Sequence, residues 1–276
     1  MKIESIWPGK QTMWIENRIL YISIPFTWNL PEVKSEIQQQ SLLWDSVIVG
    51  GPATILIPGF FNGMDFVKVG FSYPGVLQKI NPQATRTTRG CVHRCSFCAV
   101  PIIEGKFQEL KDWPDLPVVC DNNLLAASEK HFDRVVDRLI AHGWADFNQG
   151  LDARLLTDYH AERLAEIKKP MIRLSMDTNG IVETWETAYQ KLRKAGIAKH
   201  NIRSYVLVGH KSSPADGWNR CKLVEAKGIK PLPQYFHDLY ALKKNEVTEE
   251  QESHGWTDYE RRKIMQWFYQ HKKAVK

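Results

Sequence analysis

The chain has 276 residues, with 43% hydrophobic and 25% charged side chains and a formal net charge of +6. These proportions are ordinary for a soluble globular protein of one large or two small domains. They come with no apolar run of the ~18 residues that a membrane helix needs, with no signal-peptide pattern at the N-terminus, and with an odd number of cysteines, which argues against a disulfide framework. We therefore expect a cytoplasmic protein with reduced cysteines and no membrane partner.

The first predicted domain, residues 1–80, is a small α/β region. Residues 19–24 and 46–53 have the apolar, β-branched composition of strands, and a helix is predicted over about 31–43. This is one β-α-β-like unit. The second strand runs into Gly50 and Gly51 within 46–53, and these glycines lie in no phosphate-loop motif, so a tight turn at the end of the strand is expected.

The second predicted domain, residues 81–240, alternates strands and helices. Because helices separate successive strands, the strands are expected to pair in parallel through right-handed crossovers. The fold class is α/β, a partial (β/α)6 TIM-like barrel with its chemistry at the C-terminal ends of the strands. The strands are predicted at residues 84–89, 116–120, 145–149, 171–176, 202–208 and 229–236.

Three cysteines lie on the loop that follows the first of these strands. Cys91, Cys95 and Cys98 have the spacing C-x3-C-x2-C. Three thiolates on one short loop can hold three corners of an iron–sulfur cube and leave the fourth iron open. A zinc site with His93 as fourth ligand is the alternative, but structural zinc sites usually draw their ligands from two separated pairs.

The remaining two cysteines, Cys120 and Cys221, fall within a predicted strand and a predicted helix. Each is expected to be an ordinary buried or half-buried thiol. Two cysteines are too few for a further cluster, so none is predicted.

The motif and its surroundings resemble the radical S-adenosylmethionine (radical SAM) superfamily. The resemblance rests on the cysteine spacing, on Phe97 before the last cysteine, and on the string from Arg89 to Pro101 with Glu104, Gly105 and Lys106 after it. It covers about residues 84–236 and is nearest in motif to the methylthiotransferase and cobalamin-dependent branch.

This resemblance implies the cofactors and the reaction. The three cysteines would bind a 4Fe-4S cluster whose open iron is chelated by S-adenosyl-L-methionine. An external one-electron reductant of the flavodoxin or ferredoxin type would supply the electron, and a 5′-deoxyadenosyl radical would abstract a hydrogen atom from the substrate.

The resemblance also assigns roles by position. Phe97 would pack near the adenine. Asp121, Asn122 and Asn123 stand where many members carry a Gly-Gly-Glu stretch that binds the methionine amino group. This chain lacks that stretch, although an Asp-Asn pair at a strand end can still accept hydrogen bonds from an ammonium group. A simple Asx turn is the alternative.

Residues at the ends of later strands would hold the rest of the cofactor. Ser175 and Asp177 would bind the ribose hydroxyls, with a helix N-cap as the alternative role for Asp177. Gly209 would let the backbone approach the adenine. Arg154 or Arg173 would pair with the methionine carboxylate, and a salt bridge to the nearby Asp152 is the alternative.

Residues 241–276 are predicted to form a basic helical extension. Either this is a solvated helix or its cations contact phosphate, which makes RNA a possible substrate. The cations of the extension are Arg261, Arg262, Lys263, Lys272, Lys273 and Lys276.

Two further expectations concern function. The N-terminal region has no D-x-H-x-x-G stretch, so cobalamin binding is not expected. The alternative function is a non-catalytic iron–sulfur or zinc-binding protein that interacts with nucleic acid.

Overall fold

The computed structural model describes residues 7, 9–39, 43–70 and 75–274, the last six of these without side chains. The chain divides into two compact units, each built from three segments. The first unit comprises Met1–Gln83, Cys95–Gly105 and His237–Asn245, and the second comprises Ala84–Arg94, Lys106–Phe236 and Glu246–Lys276.

The first unit is built on a four-stranded sheet in the order β1-β2-β3-β4. Strands β1 and β2 are antiparallel, and β2, β3 and β4 run parallel. The predicted β-α-β unit is therefore present, with a strand added at each side. Its strands are β1 (Thr12–Glu16), β2 (Ile19–Ser23), β3 (Ser46–Gly50) and β4 (Val67–Val69), and its helices are α1 (Leu30–Gln39), α2 (Pro52–Leu56), α3 (Val76–Ile80) and α4 (Val100–Ile103).

Helix α1 covers this sheet with one apolar stripe. Leu30, Val33 and Ile37 are spaced three and four residues apart, so they lie on one face of the helix and are buried. They pack with Ile22 and Val49 of the sheet in a single core cluster.

The second unit contains six parallel strands in the order β12-β11-β10-β9-β8-β5. Because neighbours in the sheet are also neighbours along the chain, each of helices α5 to α8 connects two adjacent strands. The six strands are β5 (Ala84–Thr85), β8 (Val118–Val119), β9 (Ala145–Phe147), β10 (Pro170–Met176), β11 (Ile202–Val208) and β12 (Lys230–Tyr235). Two further strands, β6 (Thr88–Arg89) and β7 (Gln108–Glu109), form a separate antiparallel pair. The helices are α5 (Glu129–His142), α6 (Asp158–Ala165), α7 (Val182–Lys194), α8 (Pro214–Ala226), α9 (Glu249–Ser253) and α10 (Asp258–Ala274).

The predicted α/β class with a parallel sheet is confirmed. Within the described residues, the outer strands β5 and β12 do not pair with each other, so the sheet does not close into a barrel. The predicted first strand over 84–89 is interrupted. Only Ala84–Thr85 joins the parallel sheet, whereas Thr88–Arg89 pairs antiparallel with Gln108–Glu109.

The two faces of the sheet have different surroundings. Along β11 the even-numbered residues are buried and the odd-numbered ones are half-buried, as expected for a strand with period two. Ser204 lies on the helix-covered face, where its Oγ accepts a hydrogen bond from Trp185 Nε1 of α7 at 3.0 Å. Tyr205 and Leu207 therefore lie on the opposite face, which carries polar groups.

In the part of the chain that the structure describes, no helix combines the length and the apolar composition required to cross a membrane.

Candidate functional site

The cysteine loop begins at a point fixed by a buried carboxylate. Asp121, which follows β8, is 3% exposed. Its Oδ1 accepts hydrogen bonds from the backbone N–H groups of Thr87 (2.6 Å) and Thr88 (3.0 Å), and its Oδ2 accepts one from Thr87 Oγ1. Burial raises the pKa of Asp121, and these hydrogen bonds oppose the rise. Asp121 thus anchors the chain just before the cysteines, a structural role that the sequence did not suggest.

A short antiparallel pairing then closes the base of the loop. Arg89 of β6 pairs with Gln108 of β7, and a further bridge joins Cys91 to Lys106. Gly90 has a φ of 71°, a conformation that favours glycine and turns the chain after β6.

The sulfur of Cys91 accepts two hydrogen bonds. The donors are the backbone N–H of His93 and the side-chain Nδ2 of Asn123, each 3.4 Å from Sγ. Asn123 is 1% exposed, and its Oδ1 is buried with no hydrogen-bond partner in the part of the chain that the structure describes. Of the predicted trio after β8, Asn123 is therefore the residue in contact with the motif, while Asn122 is half-buried beside it.

Asp152 gathers the polar groups around Cys91. Its Oδ2 lies 2.8 Å from His93 Nε2 and 3.3 Å from Asn123 Nδ2. Arg154 binds both carboxylate oxygens, through Nε and Nη2 at 2.8 Å each. Burial acts to raise the pKa of Asp152, but hydrogen bonds and charge from Arg154, with charge from His93, lower it overall. The salt bridge considered as an alternative for Arg154 is present.

The other two motif cysteines lie on a turn that leads into α4. The backbone N–H of Cys98 donates to the carbonyl oxygen of Cys95 at 3.1 Å. Cys95, Phe97 and Cys98 are all half-buried. All five cysteines of the chain fall in its described part, and each is a thiol outside any disulfide.

The three motif cysteines are the ligands available for the cluster that the motif predicts. In the described residues, no three His, Cys, Asp or Glu side chains form a group that could hold a metal ion as they stand. The fit therefore rests on chemistry. Three half-buried thiols on one loop, one of them with two N–H donors at its sulfur, are the ligands and outer contacts that iron–sulfur clusters use. The residues present suit the cluster.

A cavity of about 330 Å³ lies beside the strands β9 to β12. Asp177, which directly follows β10, is one of its lining residues, and burial raises the pKa of this carboxyl to about 6. The helical turns after β10 have Thr178 and Ile181 as N-caps without a side-chain bond, so Asp177 is not the cap that was considered. The full lining is Asn148, Gln149, Asp177, Tyr205, Leu207 and Gln234.

Ser175 lies two residues before Asp177, on the polar face of the sheet. It pairs with Tyr205 in the register of β10 and β11. A Cβ added at Gly150, whose φ is 91°, would lie 3.3 Å from Ser175 Oγ. Glycine at 150 therefore lets the backbone after β9 come close to Ser175. Tyr205, whose hydroxyl donates to the Asn148 carbonyl at 2.7 Å, was not predicted as a site residue. The sequence carries no signal for it, because its half-buried position on the polar face of β11 is visible only in the structure.

Gly209 and Arg173, both predicted to contact the cofactor, are packed against or paired with other residues of the fold. A Cβ at Gly209 would lie 2.8 Å from the Tyr235 ring, and the Gly209 carbonyl accepts a hydrogen bond from Gln251 Nε2 at 2.9 Å. Arg173 forms an ion pair with Asp146, and both side chains are buried. Of the two arginines predicted for the methionine carboxylate, Arg173 is therefore buried in its ion pair with Asp146, whereas the side chain of Arg154 is more exposed.

The cations at the start of α10 are paired. Asp258 contacts Arg261 and Arg262, and Lys263 lies 3.9 Å from Glu260. The side chains of Tyr269, Lys272, Lys273 and Lys276 lie outside the described residues. The described part of the helix therefore offers cations that acidic neighbours already neutralise.

The comparisons with known proteins identify the family of the chain. The family model of the radical SAM superfamily matches residues 85–222, half of the 276-residue chain. The matched range contains all three motif cysteines, Asn123, Asp152 and Asp177. A search of curated proteins finds no match to this chain.

Proposed function

Because the chain belongs to the radical SAM superfamily, whose members are generally enzymes, we propose that it is a radical SAM enzyme with a 4Fe-4S cluster on Cys91, Cys95 and Cys98. When bound, the cluster and S-adenosyl-L-methionine supply a one-electron cleavage of the sulfonium that yields a 5′-deoxyadenosyl radical. The observation that carries the proposal is Cys91, whose sulfur receives two N–H donors on the loop that opens after β6.

Asn123 is proposed to bind the methionine ammonium group. Its Nδ2 faces Cys91 and Asp152, while its buried Oδ1 has no partner within the described residues. A buried amide oxygen without a partner is costly, and an ammonium group would satisfy it. Arg154, whose side chain is 40% exposed beside Asp152, is the proposed contact for the methionine carboxylate.

Asp177 and Ser175 are proposed to bind the ribose. With a pKa of about 6, Asp177 is mostly ionised at neutral pH, so its carboxylate can accept hydrogen bonds from two hydroxyl groups. Phe97 and Gly209 are proposed to lie against the adenine, and the tight packing at Gly209 means that only its backbone could take part.

The electron donor and the setting belong to the same proposal. An external flavodoxin- or ferredoxin-type reductant is part of the proposal, because each cleavage consumes one electron that must come from outside the chain. A compartment that keeps thiols reduced, such as the cytoplasm, suits this chemistry. The partial-barrel curvature of the sheet and membership of the methylthiotransferase and cobalamin-dependent branch are further proposals, the latter resting on the sequence around the cysteines.

RNA as substrate is a separate proposal, and the paired cations of α10 give it no support. Binding of bulk tRNA, measured at low and high salt, tests it. A phosphate-contacting surface gives affinity that falls steeply as the salt concentration rises. Affinity that is absent or insensitive to salt would remove RNA from consideration.

The central test is anaerobic reconstitution with iron and sulfide. We expect the purified chain to take up a 4Fe-4S cluster and, after reduction, to convert S-adenosyl-L-methionine into 5′-deoxyadenosine, detected by mass spectrometry. Alanine at Cys91, Cys95 or Cys98 should abolish uptake of iron. Cys221→Ala is the matched control, because this buried thiol of α8 lies outside the motif.

The outcomes separate the alternatives. A chain that binds zinc and no iron would refute the proposal. A chain that binds the cluster but forms no 5′-deoxyadenosine would instead support the non-catalytic iron–sulfur protein.

A further inference from the structure

The two groups that contact the sulfur of Cys91 also contact one carboxylate. Asn123 donates through Nδ2 to Cys91 Sγ and to Asp152 Oδ2. His93 donates its backbone N–H to the same sulfur, and its ring Nε2 lies 2.8 Å from the same Oδ2. Asp152 therefore reaches the sulfur of Cys91 through the two hydrogen bonds of Asn123, although it follows the third strand of the sheet and the cysteine follows the first. Within the described residues, His93 Nε2 lies close to Oδ2 but makes no hydrogen bond.

The carboxylate itself is firmly held. Only 8% of the Asp152 side chain is exposed, and Arg154 donates to it through its backbone N–H at 3.0 Å and through two guanidinium nitrogens. A buried carboxylate needs such partners, and this fork fixes its orientation. Because both oxygens are fixed, the Oδ2 that faces Asn123 and His93 has a defined position.

We propose that Asp152 is a positioning residue that holds the amide of Asn123 against the sulfur of Cys91 and so sets the reduction potential of the cluster. The inference rests on the proposed function, since it requires the cluster. Hydrogen bonds to ligand sulfurs stabilise the more electron-rich, reduced state of an iron–sulfur cluster, which raises its potential. Asn123 is buried and has an amide that could rotate, so its donor stays on the sulfur only while Asp152 accepts from the same nitrogen.

A rival explanation is that Asp152 and Arg154 form a stabilising ion pair with no effect on Cys91. A change of charge alone at Asp152 would also alter the cluster potential. The test therefore uses a double-mutant cycle. The effect of one neutral substitution is measured in the presence and in the absence of the Asp152 charge, so the effect of that charge alone on the potential cancels within each comparison.

The cycle combines Asn123→Leu, which removes the donor at constant charge, with Asp152→Asn. Midpoint potentials of the reconstituted clusters are measured by redox titration followed by electron paramagnetic resonance, without S-adenosyl-L-methionine. We expect Asn123→Leu to shift the potential to a more negative value in the wild-type chain. In the Asp152→Asn chain the same substitution should shift it by less than half as much, because the donor is already displaced.

Asp133→Asn provides the matched control background. Asp133 lies on α5 and also binds an arginine, Arg163, at 2.8 Å. Its side chain accepts a further hydrogen bond from Tyr159, and neither partner belongs to the cysteine motif. In that background Asn123→Leu should shift the potential by its full wild-type amount. Asp152→Ser is a second background for the cycle, and folding of every variant is checked by circular dichroism and iron content.

The results distinguish this inference from the proposed function. Equal shifts in the wild-type and Asp152→Asn chains, or no shift from Asn123→Leu, would overturn the inference while leaving the proposed function intact. A wild-type chain that takes up no iron would overturn both.

Discussion

Burial divides the five thiols of the chain into two classes. Cys120 and Cys221 are 1% and 0% exposed, and burial raises the pKa of each to about 12. The three motif cysteines are half-buried. Because the thiolate is the reactive form, exposure and pKa act together on reactivity.

We expect selective alkylation in the protein without metal. Iodoacetamide at pH 8 should modify Cys91, Cys95 and Cys98, whereas Cys120 and Cys221 should react only after urea is added. Peptide mass spectrometry identifies the modified positions. Modification of Cys120 or Cys221 under native conditions would show that these thiols are accessible to solvent, contrary to the prediction.

Asp177 gives the folded chain a definite pH dependence. Its pKa is raised from 3.8 to about 6, so between these values the folded state holds the proton more tightly than the unfolded state does. The free energy of unfolding contributed by this group therefore falls as the pH rises from about 4 to about 6, and it is constant above that range.

Asp177→Asn should remove this dependence. The variant is expected to match the wild type near pH 4 and to be more stable by about 1–2 kcal/mol at pH 7, a value reduced from the full pKa shift because the side chain is partly exposed. Urea unfolding of both chains from pH 4 to pH 7 measures the difference, in which the other titrating groups cancel. A difference that stays constant with pH would contradict the assignment.

At the scale of elements, the turn from β3 into α2 depends on Gly51. Its φ is 94°, and a Cβ there would lie 2.7 Å from the Ile24 carbonyl oxygen and 2.8 Å from the Ile24 nitrogen. Gly63 has a similar φ of 84° but nothing within 4 Å of an added Cβ. The two glycines therefore separate the cost of the backbone conformation from the cost of a clash.

Gly63→Ala should lower the free energy of unfolding by about 1 kcal/mol through its positive φ alone. Gly51→Ala should lower it by about 3 kcal/mol or more, because backbone atoms cannot move aside as a flexible side chain can. Urea denaturation of the two variants gives both values. Equal losses would mean that the space around Gly51 is more open than the structure has it.

The elements that sequence predicts well are those with strong local patterns. The strand over 202–208 matches β11 residue for residue, because the segment is a short run rich in β-branched and aromatic residues and a glycine follows it. The predicted first strand failed for a non-local reason. Asp121, more than 30 residues further along the chain, draws the N–H groups of Thr87 and Thr88 out of the parallel sheet.

The candidate site shows the same division. The cysteine motif could be identified from the sequence because its three cysteines lie within eight consecutive residues. The contacts of Asn123 with Cys91 and with Asp152 span 32 and 29 residues, and no local pattern encodes them. From the sequence, Asp152 was predicted only as a salt-bridge partner for an arginine, because Arg154 lies two residues away and such a local contact can be inferred from spacing.

At the scale of the whole molecule, a late segment of the chain completes the end of the parallel sheet. Gln251 of α9 is 4% exposed, and its Nε2 donates to the carbonyl oxygens of Gly209 and Phe236, which follow β11 and β12. Its Oε1 accepts from the Thr248 N–H at 2.9 Å in a capping box. One amide thus ties two strand ends to the C-terminal helices.

Gln251→Glu keeps the shape and the capping acceptor but removes both donors. Leaving two buried carbonyls facing a carboxylate should lower the free energy of unfolding by about 2–4 kcal/mol. Gln266→Glu on the exposed side of α10 is the control and should change it by less than about 0.5 kcal/mol. Chemical denaturation followed by circular dichroism compares the two, and similar values would refute the role of Gln251.

The anchoring of Thr87 and Thr88 by Asp121 uses only protein atoms, so the base of the cysteine loop is shaped before any inorganic component arrives. If the proposed cluster is lost to oxygen, this scaffold is therefore expected to persist, so that fresh iron and sulfide can rebuild the cluster without refolding of the chain.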